Sequence, residues 1–156
     1  MKIALGADHR GFQAKEKVKT FLISLGYEVQ DFGTDSPSSC DYPDMAYPAC
    51  QSVTSGEAES AILLCGTGIG MSISANKVHG IRAALCHDEF SAEMARRHNN
   101  ANILCLPADL IGEEITRRIV EVWLKGRFEG GRHERRVRKI IDFEDQQARC
   151  GDKPGQ

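Results

Sequence analysis

The chain has 156 residues, 27% of them charged, and a formal net charge of −2. That length suits one well-buried domain rather than two, and the near-neutral balance argues against general attraction to nucleic acid. No stretch approaches the ~18 apolar residues of a membrane span, and residues 1–6 already read as a strand, so no signal peptide is expected ahead of them.

Strand and helix signals alternate along the chain. Strands are expected at about 2–7, 28–32, 60–65, 82–86 and 103–106. After the first, Ala14, Val18, Phe21, Leu22 and Leu25 share one helical face, and Gly26 supplies the stop. Pro43 suits the first turn of a helix running to about 54. Residues 72–77 read as a helix following the glycine-rich turn after the third strand. Asp88 is expected to cap a helix ending at His98, where Asn99 and Asn100 tolerate a left-handed exit. Ile111, Ile115, Ile119, Val122 and Trp123 form the stripe of the next helix, closed by Gly126. After Gly130 and Gly131, a basic run from Arg132 to Lys139 opens a last helix.

Five short apolar strands separated by helices imply an α/β fold, a three-layer α/β/α sandwich. Its core would be a Rossmann-like five-stranded parallel sheet, with a C-terminal helical extension. Residues 1–145 form the expected single domain, and 146–156, with Gly, Pro, Lys and Asp but no periodicity, an expected disordered tail. In such sheets ligands gather outside the carboxyl ends of the strands, where Asp8, His9 and Cys65 fall.

Cysteines stand at 40, 50, 65, 86, 105 and 150, with no C-x-x-C pair. A disulfide framework or zinc site is not expected, and a reducing cytoplasm is the expected location. Cys65 is the informative one. An apolar strand delivers it into Gly66-Thr67-Gly68-Ile69-Gly70, a turn whose free backbone N–H groups suit an anion. A thiol there is biased toward thiolate, fit to remove a proton beside a carbonyl while the amides hold the oxyanion. A buried cysteine acting as a small hydrophobe explains the segment equally well. Dinucleotide binding fails, because Met71 stands where G-x-G-x-x-G needs glycine, and no Gly-Lys-Ser/Thr makes a P-loop.

Arg132 and Arg136, i and i+4 on a helix, can converge on one anion, although such a run is also an ordinary solvated face. A helix C-terminus favours a protonated His98, fit to act as an acid or merely to cap the helix. His9 is a ligand contact or a turn residue. Metal binding by His9, His87 and His98 has no ligand-spacing signature, so no metal is expected.

Taken together, the segments Gly6–Phe12, Asp31–Thr34, Asp41–Pro43, Cys65–Gly70, Ser74–Lys77, Arg97–Asn99 and Gly130–His133 resemble the type B ribose-5-phosphate isomerase family. That family also includes allose- and galactose-6-phosphate isomerases. The match runs in order from about residue 2 to 144. The resemblance implies a cofactor- and metal-independent aldose–ketose isomerisation of a sugar phosphate, in the pentose phosphate pathway for ribose 5-phosphate. By position, Cys65 would be the base moving a proton between C1 and C2 through an enediolate. The amides of Gly66, Gly68, Ile69 and Gly70 would stabilise that enediolate. His98, assisted by Thr67, would open the sugar ring. Asp8, Tyr42 and Asn99 would hold hydroxyls, while His9, Arg132 and Arg136 would face the phosphate. A glutamate-using branch places its base at the position of Met71, so this chain resembles the cysteine branch. The resemblance also implies a homodimer with shared active sites, the sequence leaving open whether dimers pair into a tetramer, while charge and hydropathy argue against nucleic acid or membrane as partner.

One position departs from the pattern. Asp109 stands where relatives commonly carry a phosphate-binding arginine. A six-carbon sugar phosphate therefore remains an alternative substrate, and a non-catalytic sugar-phosphate binder an alternative function. An RNA contact through the basic helix lacks interleaved aromatic residues for stacking.

Overall fold

The structure, a computed structural model, describes residues 1–151. The chain runs β1 (Lys2–Ala7), α1 (Phe12–Ser24), β2 (Glu28–Asp31), α2 (Tyr42–Thr54), β3 (Ser60–Cys65), α3 (Ile69–Ala75), β4 (Ala83–Leu85), α4 (Glu89–Asn99), β5 (Ile103–Pro107), α5 (Glu113–Lys125) and α6 (Arg132–Gly151). The five strands form one parallel sheet in the order β2-β1-β3-β5-β4.

The pleat sorts the core into two layers. Ile3, Leu5, Ile62, Leu64, Leu104 and Leu106 point to one face, where Val18, Leu22, Ile119 and Trp123 of α1 and α5 cover them. Ala4, Ala61, Leu63, Cys65, Ile103 and Cys105 point to the other, under Ala46, Ala49 and Met71 of α2 and α3. The α/β/α sandwich expected from the alternating pattern is therefore present. Asp88 caps α4 through Ser91 N at 2.7 Å, and Asn100 leaves it in the left-handed conformation at φ 47°.

Two expected boundaries are corrected. The helix after β3 begins at Ile69, not Ser72, because Gly68 at φ +73° completes the turn within a single residue. Of the tail expected over 146–156, residues 146–151 belong instead to α6, which continues through Gly151, and residues 152–156 lie outside the described part. Positive φ at Gly130 (67°) and Gly131 (56°) swings the chain from α5 into α6. That helix then packs on α4 and reaches the turn before β4, where Glu144 accepts from Gly80 N at 3.1 Å.

A buried ionic knot fixes the loop after β2. Lys15, only 2% exposed, places Nζ 2.8 Å from Asp31 Oδ2 and 3.0 Å from the Thr34 carbonyl, and Lys19 Nζ lies 2.9 Å from the same Oδ2. Burial alone would raise the Asp31 carboxyl, but the two ammonium groups and the Gly33 amide hold it below its ordinary value. A carboxyl depressed in this way adds stability above its unfolded pKa and loses it as pH falls through the folded one. Asp31→Asn should therefore lower the unfolding free energy at pH 7 by about 2–4 kcal/mol. In urea melts the gap to wild type should close below about pH 4. An equal gap at pH 7 and pH 3 would contradict this assignment.

Candidate active site

The chain leaves β1 toward β2 on one side and β3 toward β4, beyond β5, on the other, so the carboxyl ends of β1 and β3 flank a topological switch point. Asp8 and Cys65 sit on either side of it. Asp8 is buried, and its Oδ1 accepts from the amides of Arg10 (2.9 Å) and Gly11 (3.0 Å), leaving Oδ2 for a ligand. His9 Nδ1 lies 3.2 Å from both the carbonyl oxygen and the amide nitrogen of Cys40, which fixes the ring with Nε2 outward.

Cys65 is buried at the end of β3, within the core layer under α2 and α3. The residue retains 5% of its surface, whereas Cys50 and Cys105 retain none. Burial pushes the Cys50 thiol up to about 12, Cys86 up to about 11, and Cys105 well above its ordinary value, so these three stay protonated. Gly68 N instead donates to Cys65 Sγ at 3.2 Å, and Ile69 N donates to Thr67 Oγ1 at 3.3 Å. This corrects one expectation: the Gly68 and Ile69 amides already have acceptors. The amides of Gly66, Thr67 and Gly70 have no protein acceptor among the described residues and remain available to an oxyanion.

Each glycine of the turn has a steric reason. A Cβ on Gly68 would stand 2.5 Å from Leu85 Cδ1, in a backbone conformation that L side chains avoid. A Cβ on Gly70 would stand 2.7 Å from the Tyr42 ring, which the first residue of α2 lays over the turn. Met71, with no exposed surface, is a core residue and offers no base.

A second cluster lies at the opposite edge of the sheet. Helix α4 returns from the carboxyl end of β4 to the amino end of β5, so His98 and Asn99 stand about 15 Å, the length of an 11-residue helix, below the Cys65 edge. Helix α5 returns the same way, and Glu129 N donates to the Arg97 carbonyl at 3.0 Å. This brings Arg132, His133 and Arg136 to that same edge. The rings of His98 and His133 stack at 4.0 Å and 3°, and Glu129 Oε2 lies 3.7 Å from both Nε2 atoms. Burial, His98 and Arg132 push His133 below its ordinary value, so it stays neutral and accepts from Arg132 Nε at 3.3 Å. His98, Glu129 and His133 form a close donor group. Parallel rings, however, aim their in-plane lone pairs side by side rather than at one point, so they do not converge on an ion. His9 and His87 join no such group among the described residues.

The fold thus brings Asp8, His9, Tyr42, Cys65, Gly66, Thr67, Gly68, Ile69 and Gly70 together, and separately His98, Asn99, Arg132 and Arg136. One chain does not unite the two sets. The roles of Glu129 and of an Arg10–Asp109 pair escaped the sequence reading. Glu129, four residues before His133 across two glycines, carried a faint spacing signal; Arg10 and Asp109 carried none without the strand order.

Comparison with known proteins bears on both sets. Residues 3–140 match the family model described as Ribose/Galactose Isomerase. Over 143 residues the chain is 44% identical to ribose-5-phosphate isomerase B of Escherichia coli, covering 92% of this chain and 96% of that protein. It is 43% identical to D-erythrulose-4-phosphate isomerase of Pectobacterium atrosepticum, covering 94% and 97%. Among solved structures, ribose-5-phosphate isomerase B of Clostridium thermocellum is similar at a TM-score of 0.93 and 48% identity, covering 94% of this chain and 99% of that one. The Thermotoga maritima ribose 5-phosphate isomerase matches at 0.88 and 57%, covering 90% and 97%. No helix among the described residues is long and apolar enough to cross a membrane. The chain belongs to the ribose/galactose isomerase family.

Proposed function

We propose that this chain interconverts ribose 5-phosphate and ribulose 5-phosphate through an enediolate. The observation that carries the reading is Cys65 at the switch point, its Sγ held by the Gly68 amide beside the Gly66, Thr67 and Gly70 amides, which have no protein acceptor among the described residues. Sγ takes the C2 proton of the open-chain aldose and delivers a proton to C1, the proton of the C2 hydroxyl passes to the C1 oxygen, and the Gly66, Thr67 and Gly70 amides stabilise the enediolate oxygen between the two transfers. Asp8 Oδ2 and the Tyr42 hydroxyl hold sugar hydroxyls.

The active unit is a homodimer with shared sites. Within one chain His98, Asn99, Arg132 and Arg136 lie at the wrong edge of the sheet, so those of a second copy complete the site. His98 opens the ring, Thr67 assists, Asn99 holds a hydroxyl, and the two arginines take up phosphate with His9. A groove of about 710 Å³ beside Asn99, Ile140 and Phe143 at that edge is consistent with a partner seated there. A reducing cytoplasm fits the six free cysteines. Incubated with this protein, ribose 5-phosphate should appear as ribulose 5-phosphate, and in D2O any label that exchanges through the base enters the ketose at C1. Ketose formation from allose 6-phosphate alone would move the reading to six-carbon substrates, and ketose formation from neither would refute isomerisation.

A further inference from the structure

The Cys65 edge carries an ion pair with no evident structural purpose. Arg10 Nε lies 3.0 Å and Nη2 2.6 Å from the same oxygen, Asp109 Oδ2. The Arg10 side chain is 60% exposed, a setting in which an isolated pair adds less than about 1 kcal/mol of stability. Its placement is nonetheless well defined. The Arg10 amide is tied to Asp8, next to His9, and Asp109 N donates to the Gly66 carbonyl at 3.0 Å. A Cβ on Gly66 would stand 2.6 Å from Asp109 Oδ2 and 3.6 Å from Arg10 Nε. The pair therefore roofs the turn that follows Cys65.

We infer that Arg10, steered by Asp109, is a ligand for the phosphate of the substrate, an inference that rests on the isomerase reading. A guanidinium has five N–H groups in a planar fork; Asp109 engages two and leaves the others directed outward, in the geometry that suits a phosphate. Asp109 restricts the side chain before substrate arrives, which lowers the ordering cost of binding. The same contact cancels the carboxylate charge, so an incoming dianion meets a neutral pair with free donors rather than a bare anion.

Two readouts test the inference, calorimetric titration with inorganic phosphate and steady-state kinetics on ribose 5-phosphate. Arg10→Ala should weaken phosphate binding about 10- to 100-fold, the range expected for lost charge-assisted hydrogen bonds, and raise KM in parallel with the smaller share of the loss in kcat. Asp109→Asn keeps an acceptor for Arg10 and removes the opposing charge, so phosphate should bind more tightly. Phosphate affinity unchanged in Arg10→Ala, or a loss confined to kcat, would overturn the inference. Arg10-dependent phosphate binding in a wild-type protein that does not turn over the sugar would instead sink the isomerase reading.

Discussion

Cys65→Ala should lower kcat/KM on ribose 5-phosphate by at least about 10³-fold while leaving the fold intact, because it removes the thiol proposed to accept the C2 proton. Cys65→Ser is the sharper version. It preserves size and hydrogen bonding, but its hydroxyl is far harder to ionise near neutral pH than a thiol, whose ordinary pKa is about 8.5. Serine should therefore be nearly as damaging as alanine. Coupled assays of ribulose 5-phosphate formation, with circular dichroism to verify folding, read both variants. Turnover within tenfold of wild type in folded Cys65→Ala would remove the cysteine from the chemistry.

The second large effect is a recovery. His98→Ala should itself lose about 10²-fold or more, as expected for removal of a general acid. In a purified heterodimer of one Cys65→Ala copy and one His98→Ala copy, one site carries both defects and the other carries neither. Each parent is nearly inactive, yet the mixed pair should regain about half of wild-type activity under two-fold symmetry. Differently tagged copies, co-expressed and purified through both tags, supply the sample. A heterodimer as inactive as its parents would mean that Cys65 and His98 serve the same chain, contrary to their separation across the sheet.

Much of the architecture was legible in the residues because local signals and burial agree. Val18 and Leu22 mark the inward face of α1, Asp88 caps α4, and the run Ser60–Cys65 is buried throughout. Strand order was not legible. Nothing in Ala83–Leu85 announces that β4 is an edge strand and that the later β5 lies beside β3. That order puts the loop carrying Asp109 next to Gly66, so the contact with Arg10, 99 residues away in sequence, could not be foreseen. The motif segments named the site residues but not their distribution. His98 and Cys65 read as partners, and only the direction of α4 across the sheet separates them. Loss of apolar periodicity after residue 145 predicts a tail, whereas helix α6 continues through Gly151 on polar residues.

The glycine pair at 130 and 131 works as a pivot. Helix α6, 20 residues and about 30 Å long, swings from these two left-handed positions. At that radius, an error of ten degrees at the joint displaces the far end by about 5 Å. A Cβ on Gly131 would meet no neighbouring atom, so its φ rather than crowding demands glycine. Substitutions at this joint would thus act by leverage on the far end of the rod, which Glu144 docks against Gly80, more than on Arg132 and Arg136 beside the pivot.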